Sequence, residues 1–271
     1  MRKDKKSTQS KKWLILGIIF LVILAVGVVL FIVQTVNKNK AKDDMSDLKK
    51  TVNQTDDSDK EEDDVLAKLG IEIPKKNLDW DELHKECEDI YAWIYVPDTT
   101  VDYPIVQHPT DNSYYLNHNM DGSKGYPGCI YTEDYNKKDF SDLHTVIYGH
   151  NLKDKTMFSS LHNFEDESLM AKDHYIFIYT PDYVYVYQIF GAYEFPAVHL
   201  LANYDLENEY VYEQYLKDLF KIDNTTSRVA NIRQDIPVTK EDKIVTLSTC
   251  TTDHNSSIRF LVTGVLLNPK K

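Results

Sequence analysis

A thiol and a guanidinium at neighbouring strand ends are the side chains of this sequence best suited to covalent chemistry. The segment 243–250 reads KIVTLSTC, and its β-branched and aliphatic residues predict a buried strand with Cys250 at its polar end. A loop of turn-forming residues follows, and the apolar run 258–267 predicts a second strand. If the two strands are neighbours, Arg259 lies close to the thiol and both belong to one site.

A histidine from far upstream completes this candidate site. The short apolar strand predicted at 145–148 ends in Gly149 and His150, which places an imidazole at a further strand end. His254, in the loop that follows the thiol, is the rival candidate for a catalytic base. The remaining histidines, His162 among them, stand in no comparable context.

These residue types together support nucleophilic catalysis by a cysteine. A free thiol has a pKa near 8.5, so only about a few per cent of it is thiolate at neutral pH without a base or a positive charge nearby. We expect Cys250 to attack a peptide carbonyl while His150 protonates the departing amine, which leaves a thioester. Water or a second amine could then release the acyl group, so a peptidase and a transpeptidase both remain open at this point.

The arginine and the other two cysteines each have a structural alternative. Arg259 is one of four arginines and interrupts an apolar strand, where it would bind an oxyanion or substrate backbone, or else form a structural ion pair. Cys87 falls on the apolar face of a predicted helix and Cys129 inside a predicted strand, so both are interpreted as core residues. Their spacing indicates neither a disulfide framework nor a zinc site, and we expect no metal and no cofactor.

Composition limits the class of protein. The chain has 271 residues, of which 42% are hydrophobic, and nineteen tyrosines favour a packed, β-rich core. Its formal net charge of -12 argues against nucleic acid as a partner, because binding to phosphate backbones requires a basic surface.

The N-terminal region predicts a membrane anchor. Residues 1–12 are basic, and an apolar run begins at Trp13 and continues for about 21 residues, roughly 31 Å as a helix. We therefore expect a cytoplasmic tail at 1–12, a transmembrane helix at 13–36 and the rest of the chain outside the cell. A cleaved signal peptide is the alternative, but its apolar segment would be shorter and would end in small residues.

Residues 37–75 separate this anchor from the predicted catalytic domain at 76–271. They begin basic, become acidic and contain few large apolar residues, which predicts a mostly extended extracellular stalk with a short helical turn at 65–71. An acidic tail that binds a partner or collects metal ions is the alternative interpretation.

The rest of the chain alternates short strands with a few helices, which indicates a sandwich or barrel. The predicted strands are 93–96, 100–106, 129–132, 145–148, the hairpin 175–180 with 183–193, and the pair that carries the thiol and the arginine. The predicted helices are 77–91, a broken helix at 156–171, and a long helix at 205–222.

The motif TLSTC at 246–250, with Arg259 on the next strand and VIYGH at 146–150 upstream, resembles the sortases, the membrane-anchored cysteine transpeptidases of Gram-positive bacteria. The resemblance covers roughly the last 195 residues, a normal size for one domain. A helix before the first strand and a long helix before the cysteine strand are similar to class B sortases.

The resemblance implies an eight-stranded sortase-type β-barrel with peripheral helices, with Cys250, His150 and Arg259 as catalytic residues. It also implies a substrate groove; by similarity Asn112, Leu116, Ser248 and Thr249 would line it, and Tyr148 would border it. For Asn112 and Leu116, an asparagine turn with a core leucine is the competing interpretation.

The implied substrates are surface proteins with a C-terminal sorting signal of the NPQTN or LPxTG kind. The implied acceptor is an amine of the peptidoglycan precursor or, in a pilin-polymerising enzyme, a pilin lysine. A membrane-tethered binding module with an inert thiol is the alternative of another class.

Overall fold

The computed structural model describes residues 3–53, 64–253 and 255–269. Its first element is helix α1, Lys3–Val52. Large apolar side chains from Trp13 to Val36 are exposed along this helix, which by length and composition can cross a membrane.

The predicted extended stalk is helical over its first part. Residues 37–52 continue α1 without interruption, and the Val52 side chain at its end is only 2% exposed. Met45 and Leu48 also pack against the folded domain. The sequence interpretation was wrong here because these few apolar residues fall on one helical face and find a partner surface. Most of the acidic run lies outside the described residues.

Short helices surround the domain, and a capping side chain fixes the start of several of them. They are α2 Asp64–Leu69, α3 Trp80–Glu86, α4 Glu167–Met170, α5 Leu200–Asn203 and α6 Glu209–Leu219, with 3-10 turns at Tyr114–Leu116 and Ser159–Glu165. The Asp79 carboxylate accepts hydrogen bonds from two backbone amides at the start of α3, and the Asn208 side chain does the same for α6.

Two predicted helices are shorter than expected. The helix predicted at 77–91 ends at Glu86, because Ile90 and its neighbours pair with a strand. The long helix predicted at 205–222 is confirmed as α6, although it begins only at Glu209.

The described residues form nine strands of one sheet. They are β1 Ile90–Tyr95, β2 Asp102–Val106, β3 Ile130–Tyr131, β4 His144–Tyr148, β5 Tyr175–Tyr179, β6 Val184–Pro196, β7 Ala230–Ile232, β8 Ile244–Cys250 and β9 Ile258–Leu266. The order is β5-β1-β2-β3-β4-β8-β9-β6-β7, and β5 also pairs with β6. That pairing closes eight strands into the predicted barrel, and β7 pairs with the same edge of β6 as β5 does, beyond the end of β5.

The two faces of the barrel wall have different roles. Buried residues from all eight closed strands fill the interior, where Val245 and Leu247 of β8 point. The opposite face of the same strand carries Ile244, which packs with α6. Because side chains alternate along a strand, Cys250 lies on this outer face, beyond the part covered by the helix.

Candidate active site

Strand pairing brings the thiol and the guanidinium together. Cys250 is the last residue of β8, and in the antiparallel register with β9 its Cα partner is Arg259. Cys250 is partly exposed, whereas Cys87 and Cys129 are buried. The nucleophile predicted from the sequence is therefore the accessible thiol among the three.

The imidazole reaches the same edge through a parallel pairing. Strand β4 lies beside β8 with Tyr148 opposite Ser248, and the Gly149 amide donates a hydrogen bond of 3.1 Å to the Ser248 carbonyl. Continued by two residues, this register places His150 beside Cys250. Neighbouring strands are about 4.8 Å apart, so β4, β8 and β9 deliver the three predicted side chains to one end of the barrel.

A hydrogen bond determines which nitrogen of His150 carries the proton. Nε2 lies 2.6 Å from the carbonyl oxygen of Leu116, and a carbonyl can only accept. Nε2 is therefore the donor, and the Tyr126 ring packs edge-on against the imidazole at 5.1 Å between centroids. Among the described residues Nδ1 has no hydrogen-bond partner, which leaves that nitrogen for proton transfer.

Arg259 is held by backbone carbonyls rather than by an acid. Its NH1 group donates to the carbonyls of Ser256 and Ile258 at 3.2 and 3.0 Å. Within the described part of the chain, no carboxylate lies at ion-pair distance from it, whereas Arg228 pairs with a glutamate and Arg233 with two aspartates. The structural ion pair considered for Arg259 is thus not present among these residues, and its remaining donors can meet a developing negative charge.

A second histidine fixes the backbone of the nucleophile. The Cys250 carbonyl accepts hydrogen bonds from His162 Nε2 at 3.0 Å and from the side-chain amide of Asn151 at 3.2 Å. His162 Nδ1 lies 2.6 Å from a carboxylate oxygen of Glu165, and its ring stacks on Phe260 at 4.5 Å. Sequence reasoning passed over His162, although a glutamate three residues later on a helical turn is a signal that could have singled it out.

The sequence profile of the Sortase domain matches residues 94–267, which include all three convergent side chains. The chain belongs to the sortase family.

The relatives place this sortase in class B. It is 32% identical to the sortase B of Listeria monocytogenes, across 69% of this chain and 73% of that one. It is 30% identical to the sortase B of Staphylococcus aureus, across 68% and 72% of the two chains. Both relatives support a cysteine transpeptidase, as the motif predicted.

Solved sortase structures have the same fold. The sortase B of Clostridium perfringens superposes with a TM-score of 0.56, at 30% identity over 69% of this chain and 98% of that one. A Staphylococcus aureus sortase B–substrate complex superposes with a TM-score of 0.62, at 24% identity over 86% and 98% of the chains. The predicted barrel is thus confirmed.

Three of the five predicted groove residues of this sortase lie near the reactive groups. The Leu116 side chain is 44% exposed, and its own carbonyl binds His150. The Tyr148 ring stacks on Tyr131 at 5.4 Å, and burial raises the pKa of its hydroxyl, which keeps it neutral. Ser248 is buried and contributes its carbonyl to the pairing with β4.

The other two predicted groove residues are placed differently. Thr249 is 2% exposed and lies on the interior face of β8, opposite to the thiol, so its side chain does not reach the groove. Asn112 is engaged with Asp134: its amide donates to the carboxylate at 2.6 Å, and its oxygen accepts from the Asp134 amide at 2.8 Å. These bonds favour a structural turn at Asn112.

A buried acid next to the groove was not anticipated. Burial raises the pKa of Glu133, and the nearby His199, whose Nε2 lies 2.6 Å from the carboxylate, opposes that rise. The Tyr148 hydroxyl also lies close to Glu133. The cluster ties the groove tyrosine to the connection that leads into α5.

Proposed function

We propose that this sortase is anchored in the cell membrane by α1 and cleaves a C-terminal sorting signal of the NPQTN or LPxTG kind in surface proteins. It then transfers the acyl group to an amine of the peptidoglycan precursor. The convergence of Cys250, His150 and Arg259 at the ends of β8, β4 and β9 is the observation that carries this proposal.

The first half-reaction forms a thioester. The Cys250 thiolate attacks the scissile carbonyl, and the oxyanion develops where the unoccupied donors of Arg259 can stabilise it. The imidazolium of His150 gives its Nδ1 proton to the departing amine, while Nε2–H stays bound to the Leu116 carbonyl. The C–N bond breaks, and the acyl group stays on sulfur.

The second half-reaction reverses these roles. An incoming amine attacks the thioester, neutral His150 accepts a proton at Nδ1, and the C–S bond breaks to return the thiolate. A new amide bond remains in the product. We expect both partners to bind in the groove above the outer face of β8, where Leu116 and Tyr148 would contact the sorting signal.

The first helix supports the proposed membrane position. The large apolar side chains from Trp13 to Val36 are exposed on every side of the helix, and a basic segment precedes them. A helix with that surface is stable in a bilayer and is oriented with its positive end in the cytoplasm. The barrel would then stand on the extracellular side, where the precursor amine is available.

Peptide cleavage with three variants tests the assignment of roles. Cys250→Ala, His150→Ala and Arg259→Ala should each lower the cleavage rate of a sorting-signal peptide by about a hundredfold or more, as loss of a nucleophile, acid or oxyanion donor does. An added primary amine should divert the product from free acid to amide. If Arg259→Ala turns over normally, the role of the guanidinium is wrong.

The alternatives predict different outcomes. A cysteine peptidase would release free acid whatever amine is added, and a pilin-polymerising enzyme would prefer a lysine side chain as the acceptor. A binding module would leave Cys250 as unreactive as the two buried thiols. Burial raises the pKa of the Cys129 thiol, so an alkylating probe should label Cys250 first.

A further inference from the structure

The second half of α1 lies directly against the catalytic domain. Val52 is buried, and the Lys49 ammonium sits over the ring of Tyr103 at 3.4 Å. The Tyr103 hydroxyl accepts a hydrogen bond of 2.9 Å from the Met157 amide. This contact connects α1 with the loop after His150.

Two loops border His150. The first, loop 117–128, begins after the Leu116 carbonyl that binds Nε2, and it carries Tyr126, whose ring packs on the imidazole. The second, loop 151–157, follows His150 itself and is closed by a hydrogen bond of 3.0 Å from the Phe158 amide to the His150 carbonyl. Movement of either loop would move the imidazole relative to the thiol.

Lysines on two flanks of α1 bind an aspartate in each of these loops, because Lys38 and Lys42 share one flank and Lys40 lies on the other. Lys40 pairs with Asp121 of loop 117–128 at 3.0 Å. Lys42 forms an ion pair with Asp154 of loop 151–157, and Lys38 lies 3.9 Å from the same carboxylate. Each aspartate also accepts a backbone amide of its own loop, from Ser123 or Thr156, so a pull on the carboxylate acts on the loop backbone.

The interface between α1 and the domain is incompletely packed. A cavity of about 480 Å³ lies between α1 and the domain, and its lining includes Met45, Met120 and Pro127. Apolar contacts therefore cover only part of the interface, and the ion pairs bridge the remainder.

We propose that residues 38–52 of α1 act as a positioning clamp for His150, with Lys40 and Lys42 as the positioning residues. The clamp fixes loops 117–128 and 151–157 against each other, and the imidazole is held between them. Its effect on turnover rests on the proposed function, whereas its effect on the two loops does not.

The clamp also determines where the active site lies relative to the membrane. Residues 38–42 follow Val36, the end of the apolar surface, by no more than six positions, which is about 9 Å along a helix. On the proposed anchor, the loops around His150 therefore face the membrane boundary. A membrane-bound acceptor would approach the thioester from that side.

Charge reversals in the full-length chain in detergent micelles test the clamp, with amide hydrogen exchange and peptide-cleavage kinetics as readouts. Lys42→Glu should speed exchange in loop 151–157, and Lys40→Glu should speed it in loop 117–128, because each places a negative charge beside an aspartate. Either variant should lower kcat about threefold to tenfold with little change in KM, since the acid is displaced but the groove remains.

Two control variants are available on the same helix. Lys50→Glu makes the same charge change, but among the described residues Lys50 forms an ion pair only with Asp47 of its own helix, and both side chains are at least 70% exposed. It should behave as the unmodified chain in both readouts. Lys42→Arg keeps the positive charge, so it should show the exchange rates and the kcat of the unmodified chain.

Each outcome decides the proposal. If the amide hydrogen exchange rates of both loops are the same in Lys40→Glu and Lys42→Glu as in Lys50→Glu, the clamp does not exist. If exchange rises and kcat is unchanged, the helix docks without positioning His150, and the proposal is overturned. If the unmodified chain cleaves no sorting-signal peptide, that counts against the proposed function, and the exchange data alone still decide whether the clamp exists.

Discussion

At the scale of single residues, the nucleophile depends on groups that do no chemistry themselves. The Cys250 carbonyl is bound by His162 and Asn151, and Glu165 orients the imidazole of His162. Such bonds fix the last residue of a strand, which would otherwise fray. The position of the sulfur relative to His150 therefore depends on a second histidine.

Replacing His162 should impair turnover without removing the nucleophile. A hydrogen bond of this kind contributes about 0.5–1.5 kcal/mol, so His162→Ala should lower kcat about threefold to tenfold and change KM little. His162→Gln, whose amide can still donate, should recover part of the loss. Steady-state kinetics with a sorting-signal peptide measure this.

A matched control separates positioning from a general loss of stability. His84 also binds a strand carbonyl, that of Ile90 at 2.8 Å. This contact joins α3 to β1 at the start of the domain and involves none of the three predicted catalytic residues. His84→Ala should leave kcat unchanged. Equal losses in the two alanine variants would show that His162 has only a structural role.

At the scale of elements, the end of β4 is packed so closely that it leaves no room for a side chain at Gly149. Gly149 precedes His150, and a methyl group added there would meet Ile130 Cδ1 at 2.5 Å and a ring carbon of Phe158 at 2.6 Å. The strand end thus passes between β3 and the segment that leads into the 3-10 turn Ser159–Glu165. Only a residue without a side chain fits there unless its neighbours move.

Gly149→Ala should therefore both destabilise the barrel and displace His150. Overpacking of this kind costs about 1–3 kcal/mol, and kcat should fall further than the loss of folded protein explains. Thermal unfolding and kinetics on the folded fraction measure the two effects.

The double variant Gly149→Ala with Ile130→Val supplies the control, because valine lacks the Cδ1 atom in closest contact. It should recover part of the lost stability and turnover. If the double variant is no better than Gly149→Ala, the clash with Ile130 is not the cause.

At the scale of the whole molecule, the docking of α1 includes a buried amine. Burial lowers the pKa of Lys49 from its ordinary value to about 8, although Asp102 opposes the shift. When α1 is undocked, the amine is in water with an ordinary pKa near 10.4. Between these two values the undocked state binds more protons, so docking becomes more favourable as the pH rises.

The stability of the unmodified chain relative to Lys49→Met should accordingly increase between pH 8 and pH 10. Methionine fills similar space but cannot be charged. The titration of all other groups is common to both proteins and cancels in the difference between their stabilities. Thermal unfolding of both proteins at pH 7.5 and pH 9.5 measures the difference. A difference that stays constant with pH would show that Lys49 is not buried at this interface.

The sequence by itself determined the chemistry and the fold class. A strand pattern that ends in Cys250, another that ends at His150 and an arginine on the following strand were visible as local patterns, because alternation and turn composition are local signals. The position of the domain boundary near residue 76 stays a prediction.

Only the tertiary structure decided how these parts face one another. The orientation of Thr249 into the barrel follows from the register of β8, and the contact of His162 with Cys250 joins residues distant in the chain. The docking of residues 37–52 was hidden for a similar reason. Their few apolar side chains cannot offset the entropy of ordering on their own. They are buried only against a second surface, which is built from strands and loops distant in the sequence.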